Sequence, residues 1–299
     1  MTESIGVVGL GLVGAALAEL LITRGYRVVG CDIDPAKNAV LATRGGAAVD
    51  TPAEVAARCD RIILSLMTTN IVRHVVEGEK GILSASRPPA CIIDTTTGDP
   101  VETAALAERL ATRGVAYLDA TISGSSEQIR RRVGTFMVGG APETFALHRD
   151  LLDVFSDFVF HLGAAGSGSR AKLASNLVLG LNRLVLAEGL VFAERLGLDL
   201  STFLDVLKNS PAYSTAMDVK GRKMIEGDFT PVSRVRQHLK DVSLILEYAR
   251  RCGQELPLSA AHHDLLAHAV AVGDGDLDNA AVIQEVRRRA IHQPQVGFE

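Results

Sequence analysis

The 299-residue sequence predicts an α/β fold, a doubly wound parallel sheet followed by an all-helical C-terminal domain. Three observations carry that expectation. Short Val/Ile/Leu runs recur between residues 4 and 162 without polar alternation, as in strands covered on both faces. Helical patterns separate most of these runs, the alternation that builds a parallel sheet. After about residue 163 the strand patterns stop and only helical periodicity remains.

Taken in order, "SIGVVGL", "YRVVGCD", "RIILSLM", "ACIIDTT", "VAYLDAT" and "GTFMVGG" read as strands. The later part reads as helices over 166–196, 201–208, 213–226, 233–252, 256–272 and 278–290, punctuated by Gly197, Pro211, Gly227, Pro231, Gly253, Pro257 and Gly273. This places one domain at 1–163 and a helical domain at 164–299, the latter including a long interdomain helix, 166–196. The tail "HQPQVGFE" reads as frayed.

Hydrophobic residues at 47% and charged residues at 22% suit a globular chain with two cores. A net charge of −4, no Trp and 4% aromatics supply neither the attraction nor the stacking platforms that nucleic acid requires, and no pull toward an anionic membrane. Cys31, Cys59, Cys91 and Cys252 are widely spaced with no CxxC pair, so reduced thiols in the cytoplasm are expected rather than a zinc site or disulfides. The start, "MTESIGVVGLG", has no basic region before its first strand pattern, which agrees with a cytoplasmic chain. Segment 177–193 is interrupted by Asn182, Arg183 and Glu188 and reads as a buried helix of a soluble protein, not a membrane span. The eight histidines lack metal-ligand spacing, His262–His263 read as surface helix, and no metal is expected. Arg130, Arg131 and Arg132 point in different directions on a helix and read as a solvated face.

The stretch "IGVVGLGLVGAALAELLITRGYRVVGCDID" carries the first chemistry. Gly9 permits a tight turn, Gly11 lets backbone approach a pyrophosphate, and Gly14 packs helix on strand. Leu12 and Val13 open a helix whose free N–H groups face the phosphates. Asp32 ends the next strand, where a carboxylate accepts hydrogen bonds from an adenosine ribose. This is a Rossmann dinucleotide site. Because Asp32 would repel a 2′-phosphate and Ile33, Asp34 and Pro35 offer no arginine, NAD is expected over NADP, with Lys37 the nearby cation.

In "LGAAGSGSRAKLASNLVLGLNRLVLAEGLVFAERLG", glycines and serines at 163–169 offer turn and N-cap chemistry. Lys172 and Asn176 stack on one helix face, with Gly180 and Arg183 near the same stripe.

Together with "DATISGSS" at 119–126, "GTFMVGG" at 134–140, "GSGSRAKLASN" at 166–176 and "HLKD" at 238–241, the chain resembles the β-hydroxyacid dehydrogenases over nearly its whole length. That family includes 3-hydroxyisobutyrate dehydrogenases and tartronate semialdehyde reductases. The resemblance implies that Ser123 and Gly124 hold a substrate carboxylate, that Lys172 is the catalytic lysine and that Asn176 assists it. It further implies that Leu66, Met67 and Thr97 line the nicotinamide ribose and that Lys240 reaches the cofactor or substrate. Thr121 replaces the family's usual proline, Ser125 a usual glycine and Ser175 the first of two usual asparagines, while "SSEQIRRRV" is slightly longer than its counterpart.

The expected activity is hydride transfer between NAD(P) and a small 3-hydroxyacid or the corresponding semialdehyde, with lysine as general acid/base. The alternatives are a catalytically silent dinucleotide-binding scaffold or sensor, and an imine reductase-like enzyme. A helical domain with one long apolar helix is expected to pair as a homodimer or homotetramer.

Overall fold

A computed structural model of the chain describes residues 3–289. The strands are β1 (Ser4–Val8), β2 (Arg27–Cys31), β3 (Ala47–Ala48), β4 (Arg61–Leu64), β5 (Cys91–Asp94), β6 (Ala116–Ser123), β7 (Thr135–Gly139) and β8 (Val159–His161). Between and beside them lie α1 (Leu12–Thr23), α2 (Pro35–Thr43), α3 (Pro52–Ala56), α4 (Thr69–Glu77), α5 (Pro100–Ala111), α6 (Ser126–Arg130) and α7 (Pro142–Phe155). Helices α8 (Ser167–Arg195), α9 (Leu200–Lys208), α10 (Arg222–Glu226), α11 (Val235–Arg251), α12 (Pro257–Ala271) and α13 (Val282–Arg288) follow. The chain divides into two compact units between Lys172 and Leu173, inside α8.

The first unit is one eight-stranded sheet in the order β3-β2-β1-β4-β5-β6-β7-β8. Both faces are buried, so successive side chains of a strand enter different cores: Ile63 packs with Ile5, Val7 and Leu17, whereas Ile62 and Leu64 pack with Val8 and Val55. Several helices begin on an acceptor followed by proline. Asp34 accepts from Ala36 N before Pro35, Thr51 accepts from Glu54 N before Pro52, and Asp99 accepts from Val101 N and Glu102 N before Pro100.

Two expectations about the sheet need correction. It is not wholly parallel, because β7 runs antiparallel to β6, pairing Ser123 with Thr135 and Asp119 with Gly139. The short connection over 124–134, with only the single turn of α6, cannot make the long crossover that a parallel return demands. The strands β3 and β8 escaped the sequence reading because two or three residues show no period.

The second unit is built of helices joined by short connections among its described residues, with one isolated antiparallel bridge between Arg234 and Asp278 and a core that includes Leu184, Leu186, Leu190, Met224, Val242, Leu266 and Ile283. By length and composition α8 could cross a bilayer. Its expected burial is only partial: Val178, Val185 and Phe192, seven residues apart, are exposed along one stripe. His262 also departs from expectation. It is buried on α12 against His238 of α11, with ring centroids 5.0 Å apart, and both rings occupy the space left by Gly180, whose Cβ would lie 2.9 Å from His238. Arg183 is buried nearby, its guanidinium pushed down to about 10 by burial, and Lys220 donates to Asp278 at 2.6 Å. Arg130 pairs with Glu19 and Arg132 with Asp157, while Arg131 is exposed.

Candidate active site

In the first unit β1, β2, β4, β5 and β6 run parallel, so their carboxyl ends share one edge. Strand order reverses between β1 and β4, the crevice where open α/β sheets take their ligands. Gly9 follows β1, Asp32 follows β2, Leu66 and Met67 follow β4, Thr97 follows β5, and Ser123 ends β6. The fold therefore gathers these sequence-predicted residues at one edge.

The three glycines have three separate reasons. Gly9 has φ 91° and a Cβ there would lie 2.3 Å from Ser65 O, so turn and packing both exclude a side chain. Gly14 sits where a Cβ would meet Gly9 O at 1.9 Å, which seats α1 on the turn. Gly11 differs. Its φ of −65° suits any residue, and no atom lies within 4 Å of its Cβ position. Neither conformation nor internal packing requires glycine there, so the open backbone at the α1 N-terminus is free for the pyrophosphate approach expected from the sequence. Leu12 and Val13 open this helix. Exposed Leu12, Ile33 and Met67 are large apolar side chains beside the turn, β2 and β4.

Asp32 Oδ2 accepts from Leu10 N at 2.7 Å, and Oδ1 accepts from Asp34 N at 2.9 Å and pairs with Lys37 at 3.4 Å. The carboxylate thus ties the glycine turn to the end of β2 and neutralises the nearest cation.

A second network, unnoticed in the sequence, holds the next two loops. Asp94 is buried at the end of β5, accepting from Thr96 N at 2.9 Å and from Tyr117 OH at 2.8 Å. Thr96 Oγ1 in turn accepts from Leu66 N at 3.1 Å. Burial pushes the Asp94 carboxyl up to about 6 against the opposing hydrogen bonds of Thr96 and Tyr117, with Asp119 adding to the rise. Burial and Asp94 together raise the Tyr117 phenol.

Farther along the edge, β6 continues past its last pair with β5 and ends at Ser123, followed by exposed Gly124 with φ 148°. This turn presents a hydroxyl and backbone where the substrate carboxylate was expected. Ser125 then caps α6 in a capping box with Gln128. Lys172 and Asn176 lie one turn apart on α8. Lys240 is exposed on α11. Among the described residues no three His, Cys, Asp or Glu side chains group to hold a metal.

Residues 4–163 match the NAD binding domain of 6-phosphogluconate dehydrogenase, and residues 166–286 match the domain described as NAD-binding of NADP-dependent 3-hydroxyisobutyrate dehydrogenase. The chain is 33% identical to L-threonate dehydrogenase of Cupriavidus necator, over 95% of this chain and 96% of that one. It is 29% identical to 2-hydroxy-3-oxopropionate reductase of Escherichia coli, over 97% and 99%. The solved structure of Mycobacterium tuberculosis 3-hydroxyisobutyrate dehydrogenase with L-serine superposes with a TM-score of 0.85 at 29% identity, covering 97% of this chain and 100% of that one. With the dinucleotide turn, the second glycine-containing turn and the lysine helix in place, these matches identify the chain as a member of the β-hydroxyacid dehydrogenase family, an NAD(P)-dependent oxidoreductase acting on the CH–OH group of small hydroxyacids or on the matching semialdehydes.

Proposed function

We propose that Lys172 moves the proton in this reaction and that Ser123 and Gly124 hold the substrate carboxylate. The cofactor supplies the hydride acceptor or donor, and Gly9, Gly11, Gly14 and Asp32 would bind it, with Leu12, Val13, Leu66, Met67 and Thr97 around it. In the oxidative direction the carbinol C–H leaves as hydride, and the Lys172 amine takes the hydroxyl proton as the carbonyl forms. In reduction the ammonium returns it. Asn176, neutral and one turn on, orients the lysine or the substrate without adding charge. Lys240 serves cofactor or substrate from α11. The serine hydroxyl and backbone N–H at 123–124 converge on an anion without an arginine.

The observation that most supports this reading is the shared carboxyl edge, which gathers the dinucleotide turn, Asp32 and the Ser123–Gly124 turn on one side of one sheet. NAD is the preferred cofactor on this reading, because the Asp32 carboxylate at the end of β2 would repel a 2′-phosphate and Lys37, the neighbouring cation, already pairs with it at 3.4 Å. The exposed stripe Val178, Val185 and Phe192 supports a homodimer or homotetramer. Buried, unpaired Cys31, Cys59 and Cys91, their thiols pushed up to about 12 chiefly by burial, agree with the cytoplasm.

The testing experiment is a kinetic panel of L-threonate, 2-(hydroxymethyl)glutarate, 3-hydroxyisobutyrate and 2-hydroxy-3-oxopropionate against NAD(H) and NADP(H). At least one acid should turn over, with higher kcat/KM on NAD(H), while its methyl ester reacts poorly. Equal turnover of acid and ester would remove Ser123 and Gly124 from carboxylate binding, and a tenfold preference for NADP(H) would overturn the role of Asp32.

A further inference from the structure

The glycine- and serine-rich stretch before Lys172 suggests a locally capped helix, but its first turn is held from a distant strand. Gly166 N donates to Asp119 Oδ1 and Ser169 N to Asp119 Oδ2, each at 2.8 Å, and Thr121 Oγ1 donates to Gly168 O at 2.9 Å. Asp119 and Thr121 are buried on β6, their side chains on the same side of the strand two residues apart. The seat has no slack. A Cβ on Gly168 would lie 2.4 Å from Met137 O and 2.6 Å from Asp119 O, and one on Gly139 would lie 2.4 Å from Asp119 Oδ1.

We propose that Asp119 and Thr121 are positioning residues for Lys172: a two-pronged clamp from β6 that fixes the rotation and height of the α8 turn carrying the lysine. This rests on the assignment of Lys172 as the proton-transfer group. Lys172 follows Ser169 by three residues, within one turn of the clamped amides. A register slip of one residue would swing it by about 100° and move it about 1.5 Å along the axis. Displacements of that size cost a proton-transfer step orders of magnitude. The Asp119 carboxylate also meets the positive end of the helix, so both prongs favour the seated register. Thr121 stands where the resemblance leads to an expectation of proline, which has no hydroxyl to donate to Gly168 O.

The test compares Asp119→Asn, Thr121→Val and Thr121→Ser with the wild type, using Lys172→Ala as reference. In hydrogen exchange, the amides of residues 166–176 should open at least about tenfold faster in Asp119→Asn and several-fold faster in Thr121→Val, while β1, β4 and β5 keep wild-type protection. In single turnovers with NADH and the carbonyl form of the best panel substrate, the rate constant should fall at least about tenfold in Asp119→Asn with full amplitude. Thr121→Ser should restore what Thr121→Val loses. Wild-type exchange at 166–176 in both altered proteins would overturn the clamp, as would a full rate constant with only the amplitude reduced, the mark of a merely structural role. If Asp119→Asn does not fold, the Thr121 pair decides on the same readouts. Should Lys172→Ala itself keep wild-type rates, the assignment of the lysine fails, whereas a dead Lys172→Ala beside unaffected clamp variants sinks only the clamp.

Discussion

Gly11 separates the demands of folding from those of the ligand. Because its φ is ordinary and no atom lies within 4 Å of its Cβ position, Gly11→Ala should change stability by less than about 1 kcal/mol. The methyl would stand where the pyrophosphate approaches, so NADH affinity measured by fluorescence titration should fall more than about tenfold. Unchanged affinity would mean that the dinucleotide does not pass over this turn. Asp94 gives a residue-scale prediction of the opposite kind. Its carboxyl rises from 3.8 to about 6 on folding, so the folded state binds more protons than the unfolded state between those values. Stability attributable to it therefore falls as pH rises through that window and stays low above it. Asp94→Asn lacks this titration, so relative to the wild type it should gain about 2 kcal/mol between pH 4 and pH 7 in urea unfolding. A difference that stays flat with pH would contradict the burial argument.

Among the elements, the strands buried on both faces were legible because their apolar runs are continuous, and the second-half helices because Gly and Pro mark their ends. The direction of β7 was not, since "GTFMVGG" looks the same in either orientation and only the 124–134 connection decides. Nor was the capping of α8 by Asp119, because the partner lies 47 and 50 positions away while Gly and Ser nearby offer a plausible local cap. His262 was misread for a related reason: the space it fills is created by Gly180 on another helix. The apolar length of α8 was plain, but not which of its faces its own unit covers. That uncovered stripe yields a prediction. Phe192→Asp should lower the light-scattering mass from a multiple of 31.7 kDa toward that value at micromolar concentration, by placing a charge in an apolar contact. A wild-type mass near 31.7 kDa would already exclude the homo-oligomer.

For the molecule as a whole, the glycine turn proposed to bind the dinucleotide lies in the first unit, whereas proton transfer is assigned to a helix that runs from one unit into the other. The glycine turn was readable because its tight geometry fixes residue type and spacing, whereas the role assigned to Lys172 came from the family resemblance and not from its spacing. The Asp94–Thr96–Leu66 relay was not readable, because ordinary Asp and Thr residues acquire that role only through tertiary contact. The two tasks should separate in one measurement, kcat and NADH affinity of Lys172→Ala side by side on the best panel substrate. Loss of a positioned general acid/base should lower kcat by at least about 10² and leave NADH affinity within about threefold of wild type, with Lys172→Arg failing as well because guanidinium does not release its proton near neutral pH. Retention of more than about a tenth of wild-type kcat by Lys172→Ala would show that the proton travels by another route.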